Sequence, residues 1–107
     1  MTSSAEFRLA TGNAEVLALS GALTFATAAR ALQESRAALT PLVRSLDLAG
    51  LTHADSAGLA VIIALSRQVR QQGRQLRIDA APASLTALAQ LCDVDQLLAL
   101  GQLQKTA

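Results

Sequence analysis

The residues of this chain that could take part in chemistry lie close together at one point of the sequence. A short apolar stretch ends in the loop Thr52-His53-Ala54, and Asp55-Ser56-Ala57-Gly58 then begins a second apolar run. Backbone N–H groups in the first turn of a helix lack partners inside the helix, so they and the helix dipole favour an oxygen or an anion there. We therefore expect the Ser56 hydroxyl to cap a helix, and a phosphate on Ser56 would suit the same place.

The same stretch does not have the residue set of a catalytic centre. Asp55 is a single carboxylate without a paired acid or base, so we expect it to fix the turn rather than to transfer protons. His53 is the only histidine and Cys92 the only cysteine, which excludes an internal disulfide and a thiolate metal cluster. Neither glycine-rich nucleotide motif is present. We predict a non-enzymatic protein with no catalytic residue, cofactor or metal, in which His53 is a loop or rim residue.

Composition favours a protein partner over other kinds. The chain has 107 residues, of which 51% are apolar and 16% charged, as expected of a single compact domain. A net charge of +1 and only two aromatic residues, Phe7 and Phe25, argue against nucleic acid. The first residues do not resemble a secretory signal, and no apolar run approaches the roughly 20 residues that span a bilayer. These features predict a cytoplasmic protein without direct membrane insertion.

The beginning of the chain predicts a β-hairpin. Segments Glu6–Ala10 and Glu15–Ser20 have the apolar patterns of strands, and Gly12-Asn13 between them is a favoured turn pair. We expect Gly21 to end the second strand.

A helix and a third strand should follow the hairpin. The alanine-rich stretch Phe25–Leu39 has apolar residues at helical spacing, with Thr24 as its cap and Pro41 just beyond its end. We expect Phe25 to pack inward. The short apolar segment Leu42–Leu48 then predicts a central strand, which Gly50 should terminate.

The second half of the chain repeats the strand–helix pattern. Helices are predicted over Ser56–Gln72, ended by Gly73, and over Ala83–Cys92, with a strand at Gln75–Asp79 between them. Cys92 should face inward, and Gln96–Leu100 is either a strand or a helical turn. The order β-β-α-β-α-β-α-β implies an α/β fold with a mixed, mostly parallel sheet of four to five strands.

The predicted helix that begins at Ser56 has two different faces. One stripe is apolar and should pack on the sheet, formed by Leu59, Ile62, Leu65, Ser66 and Val69. The opposite stripe has small residues and almost no charge, formed by Ala57, Ala60, Val61, Ala64 and Gln68. Alanine is a good helix former in any surroundings, but a face so poor in charge would also let a partner's backbone approach closely. We predict that this face docks a partner.

Polar residues should extend this docking face. Thr24, Thr52 and Ser56 are all expected at one end of the sheet, where they would form a hydroxyl-rich rim. The basic residues Arg67, Arg70 and Arg74 complement the dipole at the end of the helix, or alternatively contact acidic residues of a partner. The predicted partner-binding set is completed by Asp55, His53 and Arg67.

The sequence resembles the STAS family, the domain of anti-sigma factor antagonists and of sulfate-transporter tails. The resemblance covers nearly the whole chain, through segments Leu19–Leu32, Leu46–Ile62, Gly73–Ile78 and Leu85–Leu98, with the pattern D-S-x-G-L at Asp55–Leu59. It implies one STAS-type domain over residues 1–107, with an ordered core of about 6–100 and a frayed C-terminal tail.

Two subgroups of this family imply different partners. The run Gly-Ala-Leu-Thr-Phe-Ala-Thr, the short length and the Leu-rich ending look most like the MlaB subgroup. That resemblance implies a subunit that docks on and regulates the ATPase of a phospholipid ABC transporter, which maintains outer-membrane lipid asymmetry. The protein would then be peripheral to the inner membrane. In anti-sigma factor antagonists a serine at this place is phosphorylated by an anti-sigma factor serine kinase, and Ser56 is compatible with that role. The sequence is also compatible with a homodimer.

Overall fold

Strands and helices alternate after an opening hairpin in the computed structural model, which describes residues 6–92. The elements are β1 (Phe7–Asn13), β2 (Val16–Leu23), α1 (Ala28–Ala38), β3 (Ser45–Ala54), α2 (Ser56–Gln71), β4 (Arg77–Asp79) and α3 (Ala83–Leu91). The predicted order is confirmed as far as α3. The predicted element at 96–100 lies outside the described residues.

The sheet has the strand order β1-β2-β3-β4. The β1–β2 pair is antiparallel, whereas β2–β3 and β3–β4 are parallel, so the sheet is mixed and mostly parallel as predicted. Leu23 pairs with Ala54, the last residues of β2 and β3. The loops that leave these two strands therefore start side by side.

The core lies between one face of the sheet and the helices. Alternate strand residues are fully buried, and helix residues pack against them; the set includes Leu17, Leu19, Leu46, Leu48, Ile62, Leu65, Ile78 and Leu85. Helix α2 contacts both α1 and α3, which places it in the middle of the helical layer. No helix among residues 6–92 has the length and apolarity needed to cross a membrane.

The hairpin differs from the prediction at both of its glycines. The turn lies at Ala14–Glu15 rather than at Gly12-Asn13, and the Asn13 side chain accepts the Glu15 N–H at 2.8 Å. Strand β2 continues through Gly21, which has a φ of +81° and a backbone so close to Glu6 that a Cβ would overlap the Glu6 carbonyl oxygen. The glycine therefore permits an irregular strand instead of ending it.

The third strand is also longer than predicted, because Gly50 does not break it. Strand β3 runs on to Ala54, and a Cβ on Gly50 would lie 2.7 Å from the Ser20 Cβ. The missing side chain lets β2 and β3 pair closely.

The start of α1 corrects two predictions. The helix begins at Ala28, not Phe25, and Thr24 does not cap it. Instead, the Thr27 hydroxyl accepts the Thr24 N–H at 3.0 Å and donates to the Ala22 carbonyl at 2.8 Å, which builds a turn in front of the helix. Phe25 lies in this turn and is 85% exposed, so the prediction that it packs inward is wrong.

The last described helix confirms most of its predicted core. Leu85 and Ala89 are buried and Leu88 is half-buried. Cys92, however, is exposed, because α3 ends at Leu91 and Cys92 is the C-cap, where the chain leaves the helix. The prediction of an inward Cys92 is therefore wrong.

Candidate functional site

The loops that follow β2 and β3 are joined at the carboxyl edge of the sheet. The Phe25 N–H donates a hydrogen bond of 3.0 Å to Asp55 Oδ2. Because Phe25 belongs to the turn before α1 and Asp55 directly precedes α2, this bond holds the starts of the two helices together.

Asp55 is also the N-cap of α2. Its Oδ1 accepts the N–H groups of Ala57 at 3.0 Å and of Gly58 at 3.1 Å. These backbone N–H groups, with that of Phe25 the strongest, hold the pKa of the Asp55 carboxyl below its ordinary value, although desolvation acts in the opposite direction. The side chain therefore carries its negative charge at neutral pH.

The prediction that Ser56 caps the helix is wrong. Ser56 is the first helical residue, one position too late for its hydroxyl to reach the N–H groups that a cap satisfies. Ser56 is exposed, and within residues 6–92 its hydroxyl makes no hydrogen bond. The hydroxyl is consequently accessible to a partner or to a modifying enzyme.

The threonines predicted for the rim lie at the same end of the sheet as Ser56. Thr24 is half-buried directly after β2, and Thr52 is exposed near the end of β3. The Thr52 hydroxyl donates to the Gly21 carbonyl at 3.2 Å and lies 3.1 Å from His53 Nδ1. His53 is exposed but lies in β3 rather than in a loop, so the loop prediction is wrong, and its contact with a partner stays a prediction.

The accessible face of α2 is rotated relative to the predicted one. Ala60 is exposed and Ala57 and Ala64 are half-buried, but Val61 is only 4% exposed and belongs to the core. The prediction that Val61 offers docking surface is therefore wrong. Helix α2 packs against α1 and α3 as well as against the sheet, so more of its surface is buried than the sheet alone would bury. The face that remains open carries Ser56, Ala60, Ala64 and Arg67.

The three predicted arginines do not form one stripe. Arg74 is half-buried, with Nη1 donating to the Val43 carbonyl and Nη2 to Gln72 Oε1, each at 2.8 Å. It fixes the loop after α2. Arg67 is exposed, and together with Arg36 of α1 it lines a cleft of about 320 Å³ between the two helices.

Two residues of this site escaped the sequence analysis. Phe25 was expected in the core, and one aromatic residue between threonines carries no periodicity that would reveal its exposure. Gly58 is buried where α2 crosses the end of β2, and a Cβ there would overlap the Leu23 carbonyl oxygen. The sequence feature that could have drawn attention to Gly58 is its position in the D-S-x-G-L pattern.

The described residues offer no constellation for metal chemistry. Among residues 6–92, no three His, Cys, Asp or Glu side chains come together in a way that could hold an ion. What the site presents is an exposed helix start, an exposed aromatic ring and small side chains.

The described residues thus form a two-layer α/β domain with this surface at the carboxyl end of its sheet. The family model described as "Mlab, STAS domain" matches residues 8–100, and the chain belongs to the STAS family. STAS domains are protein-interaction modules and are generally non-enzymatic. No curated protein sequence matches the chain significantly.

Two solved structures share the fold. The anti-sigma factor antagonist SpoIIAA in its unphosphorylated form is 14% identical, with a TM-score of 0.64 over 83% of this chain and 82% of that one. The murine Solute Carrier 26 family member A9 anion transporter, in its inward-facing state, is 21% identical, with a TM-score of 0.55 over 70% of this chain. The chain spans only 13% of that transporter, so the likeness concerns one domain of it.

Proposed function

We propose that this protein is a MlaB-like subunit that docks on the cytoplasmic ATPase of a phospholipid ABC transporter and regulates it. The observation that carries the proposal is the family match described as Mlab, which extends over residues 8–100. In this role the protein is cytoplasmic and lies at the inner membrane through its partner.

The docking surface is the α2 rim, which we define as Phe25, Thr52, His53, Ser56, Ala60, Ala64 and Arg67. Its exposed aromatic ring and its arginine are of the residue types that protein interfaces favour, and the small residues of α2 would let a partner's backbone approach closely. Docking regulates the ATPase only if the α2 rim binds one conformation of the ATPase more tightly than another.

The alternative function is that of an anti-sigma factor antagonist controlled by phosphorylation of Ser56. The exposed Ser56 hydroxyl, without a hydrogen bond in the described part of the chain, favours this candidate. A phosphate there would stand beside the ionised Asp55 carboxylate and place two negative groups at one helix start. Such a change of charge would release a partner that fits the unmodified surface.

One purification distinguishes the two functions. The tagged protein is isolated under mild conditions from its native cells, membranes included, and its partners and the phosphorylation state of Ser56 are identified by mass spectrometry. An ABC ATPase with its permease and an unmodified Ser56 would support the transporter subunit. A soluble serine kinase together with phosphorylated Ser56 would contradict it and support the antagonist.

A matched pair of variants tests whether the α2 rim is the surface involved. Ala60→Arg places a bulky charge on the α2 rim, and Ala87→Arg makes the same change at an exposed position of α3. We expect the first to lose the partner and the second to retain it. If both variants recovered the partner equally well, the docking site would not include this face of α2.

A further inference from the structure

The cleft between α1 and α2 brings together basic and amide side chains from two helices. It is lined by Arg36 of α1 and by Ala64, Arg67, Gln68 and Gln71 of α2, and its volume is about 320 Å³. None of these lining side chains is acidic.

The side chains of Arg36 and Arg67, like that of Arg8 on β1, differ from those of three other arginines of the described chain. Arg30, Arg44 and Arg77 each lie within 4 Å of a carboxylate, at 3.5, 3.9 and 3.0 Å respectively. Arg36 and Arg67 are exposed, and the side chain of neither forms an ion pair or a hydrogen bond with any residue in the range 6–92. Two arginines whose side chains have no carboxylate partner among residues 6–92 therefore line one cleft, and guanidinium groups are effective donors to carboxylates.

The helix dipole explains only one of them. Arg36 stands in the last turn of α1, where a cation is favoured, whereas the basic residue in the last turn of α2 is Arg70. Arg67 lies further from the end of α2 and gains less from the dipole. A carboxylate of a partner would supply Arg67 with the counter-charge that the dipole does not.

The cleft continues the α2 rim. Ala64 and Arg67 belong to both, and they follow Ser56 and Ala60 along the open side of α2. A protein that covers the α2 rim from Phe25 to Arg67 would therefore also contact the cleft.

We propose that this cleft receives an acidic side chain, aspartate or glutamate, of the ATPase subunit. The inference rests on the proposed function and adds to it the chemistry of the partner. The acidic residue would accept hydrogen bonds from Arg36 and Arg67 while the apolar part of the interface covers Phe25 and the alanines.

Charge-reversal variants test the proposal on the complex. Binding of the purified ATPase subunit is measured for the wild type, Arg36→Glu, Arg67→Glu and the control Arg8→Glu, an equal charge change at an exposed position of β1. We expect each cleft variant to weaken binding roughly tenfold or more and the control to change it little. Cleft variants that bind like the control overturn the proposal, and thermal melts of all four proteins verify folding.

A second measurement does not depend on the ATPase. The Nε–Hε signals of the arginine side chains are followed by NMR while a hexaglutamate peptide or inorganic phosphate is added. We expect the peptide to shift Arg36 and Arg67 but not Arg8, and phosphate to act more weakly. Equal responses at Arg8, or an equal effect of phosphate, would overturn the assignment to acidic side chains.

Together, the two measurements distinguish an error in the proposed function from an error in the proposal for the cleft. If hexaglutamate shifts the cleft arginines but wild-type protein does not bind the ATPase, the proposed function is wrong while the chemistry of the cleft stands. If the ATPase binds wild type and cleft variants equally well, the function stands and the cleft is not its contact.

Discussion

Asp55 is the residue on which the geometry of the site depends most. One carboxylate oxygen accepts two N–H groups of α2 and the other accepts the N–H of Phe25. A single side chain thus caps one helix and fastens the turn that precedes another. This arrangement uses both oxygens, which a serine hydroxyl in the same place could not do.

Replacing Asp55 by alanine should therefore destabilise the fold. We expect Asp55→Ala to lower the free energy of unfolding by about 1 to 2 kcal/mol, because the cap is lost and the Phe25 N–H loses its partner. Urea denaturation at neutral pH measures the change. Asp55→Asn is the control, since asparagine also caps helices well; a loss as large as that of alanine would contradict the capping explanation.

The charge of Asp55 makes this contribution dependent on pH. Its pKa in the folded protein is lowered, chiefly by the Phe25 N–H, so ionisation stabilises the fold above the pKa of the unfolded chain. The stability is lost as the pH falls through the folded pKa. We expect the advantage of wild type over Asp55→Asn to be full at neutral pH and to shrink below about pH 4. A constant difference down to strongly acidic pH would contradict this.

Ser56 should tolerate negative charge as far as folding is concerned. The first turn of α2 has no acidic residue inside it, so Ser56→Asp gains from the helix dipole and loses to repulsion from Asp55. We expect its free energy of unfolding to lie within about 1 kcal/mol of wild type, as measured in urea. Ser56→Asn is the uncharged control. If Ser56→Asp lowered the free energy of unfolding by much more than this, any loss of partner binding by this variant would be explained by unfolding rather than by the added charge.

At the scale of elements, the contact between α2 and the end of β2 determines where the α2 rim lies. Gly58 is buried against Leu23, and the helix can approach the strand only because this residue has no side chain. This close packing of α2 on β2 places the Asp55 carboxylate within hydrogen-bonding distance of the Phe25 N–H. The glycine is therefore part of the site even though no partner can touch it.

Gly58→Ala should be destabilising although alanine favours helices. The added methyl group would overlap the Leu23 carbonyl, a backbone atom that cannot move aside, and such overpacking costs about 1 to 3 kcal/mol against a helix gain of about 1 kcal/mol. Because the overlap is with a backbone atom, we expect the upper part of this range and a net loss of up to about 2 kcal/mol in thermal or urea unfolding. The control is Gly12→Ala, where nothing lies within 4 Å of the new Cβ and no loss is expected. Equal effects of Gly58→Ala and Gly12→Ala on stability would show that α2 can move away from β2 and make room for the methyl group.

Much of this element pattern could be predicted from local sequence. Apolar spacing and the helix limits identified α2. The predicted strand Gln75–Asp79 is present as the shorter β4, Arg77–Asp79, and its apolar residue Ile78 is 1% exposed, as is Leu76 just before it. The Asp-Ser pair marked the start of α2, where Asp55 is the N-cap and Ser56 the first helical residue. These features depend on the residues of one segment and its own periodicity.

The errors arose where one segment meets another. Gly21 and Gly50 look like strand ends, but each is a place where two backbones approach within the sheet. Val61 has the spacing of an exposed residue on a helix that rests on a sheet alone, and it is buried because α2 has helices on both sides. Such information lies in tertiary contacts, which a single sequence does not display.

At the scale of the whole molecule, three large apolar side chains are exposed among the described residues, namely Phe25, Leu42 and Leu91. Phe25 is 85% exposed at the carboxyl edge of the sheet, and Leu91 is 83% exposed at the far end of α3. Single exposed apolar residues are common on proteins and carry no function by themselves. Phe25 differs because it adjoins the helix start that Asp55 holds in place.

Phe25→Ser should therefore reduce partner binding without affecting the fold. An exposed ring contributes little to folding, so we expect the free energy of unfolding to stay within about 0.5 kcal/mol of wild type. An aromatic anchor in an interface is worth about 2 kcal/mol or more, which predicts at least a roughly tenfold loss of affinity for the ATPase subunit. Isothermal titration calorimetry and urea unfolding measure the two quantities separately.

Leu91→Ser is the matched control, since it removes a side chain of nearly equal exposure from outside the α2 rim. We expect it to leave the affinity unchanged. A loss of affinity equal to that of Phe25→Ser would mean that general surface apolarity drives association, and the α2 rim would have no special role. A loss confined to Phe25 would place the aromatic ring in the interface together with Ser56 and Ala60. The ATPase would then contact the same edge of the sheet at which Asp55 joins the two loops.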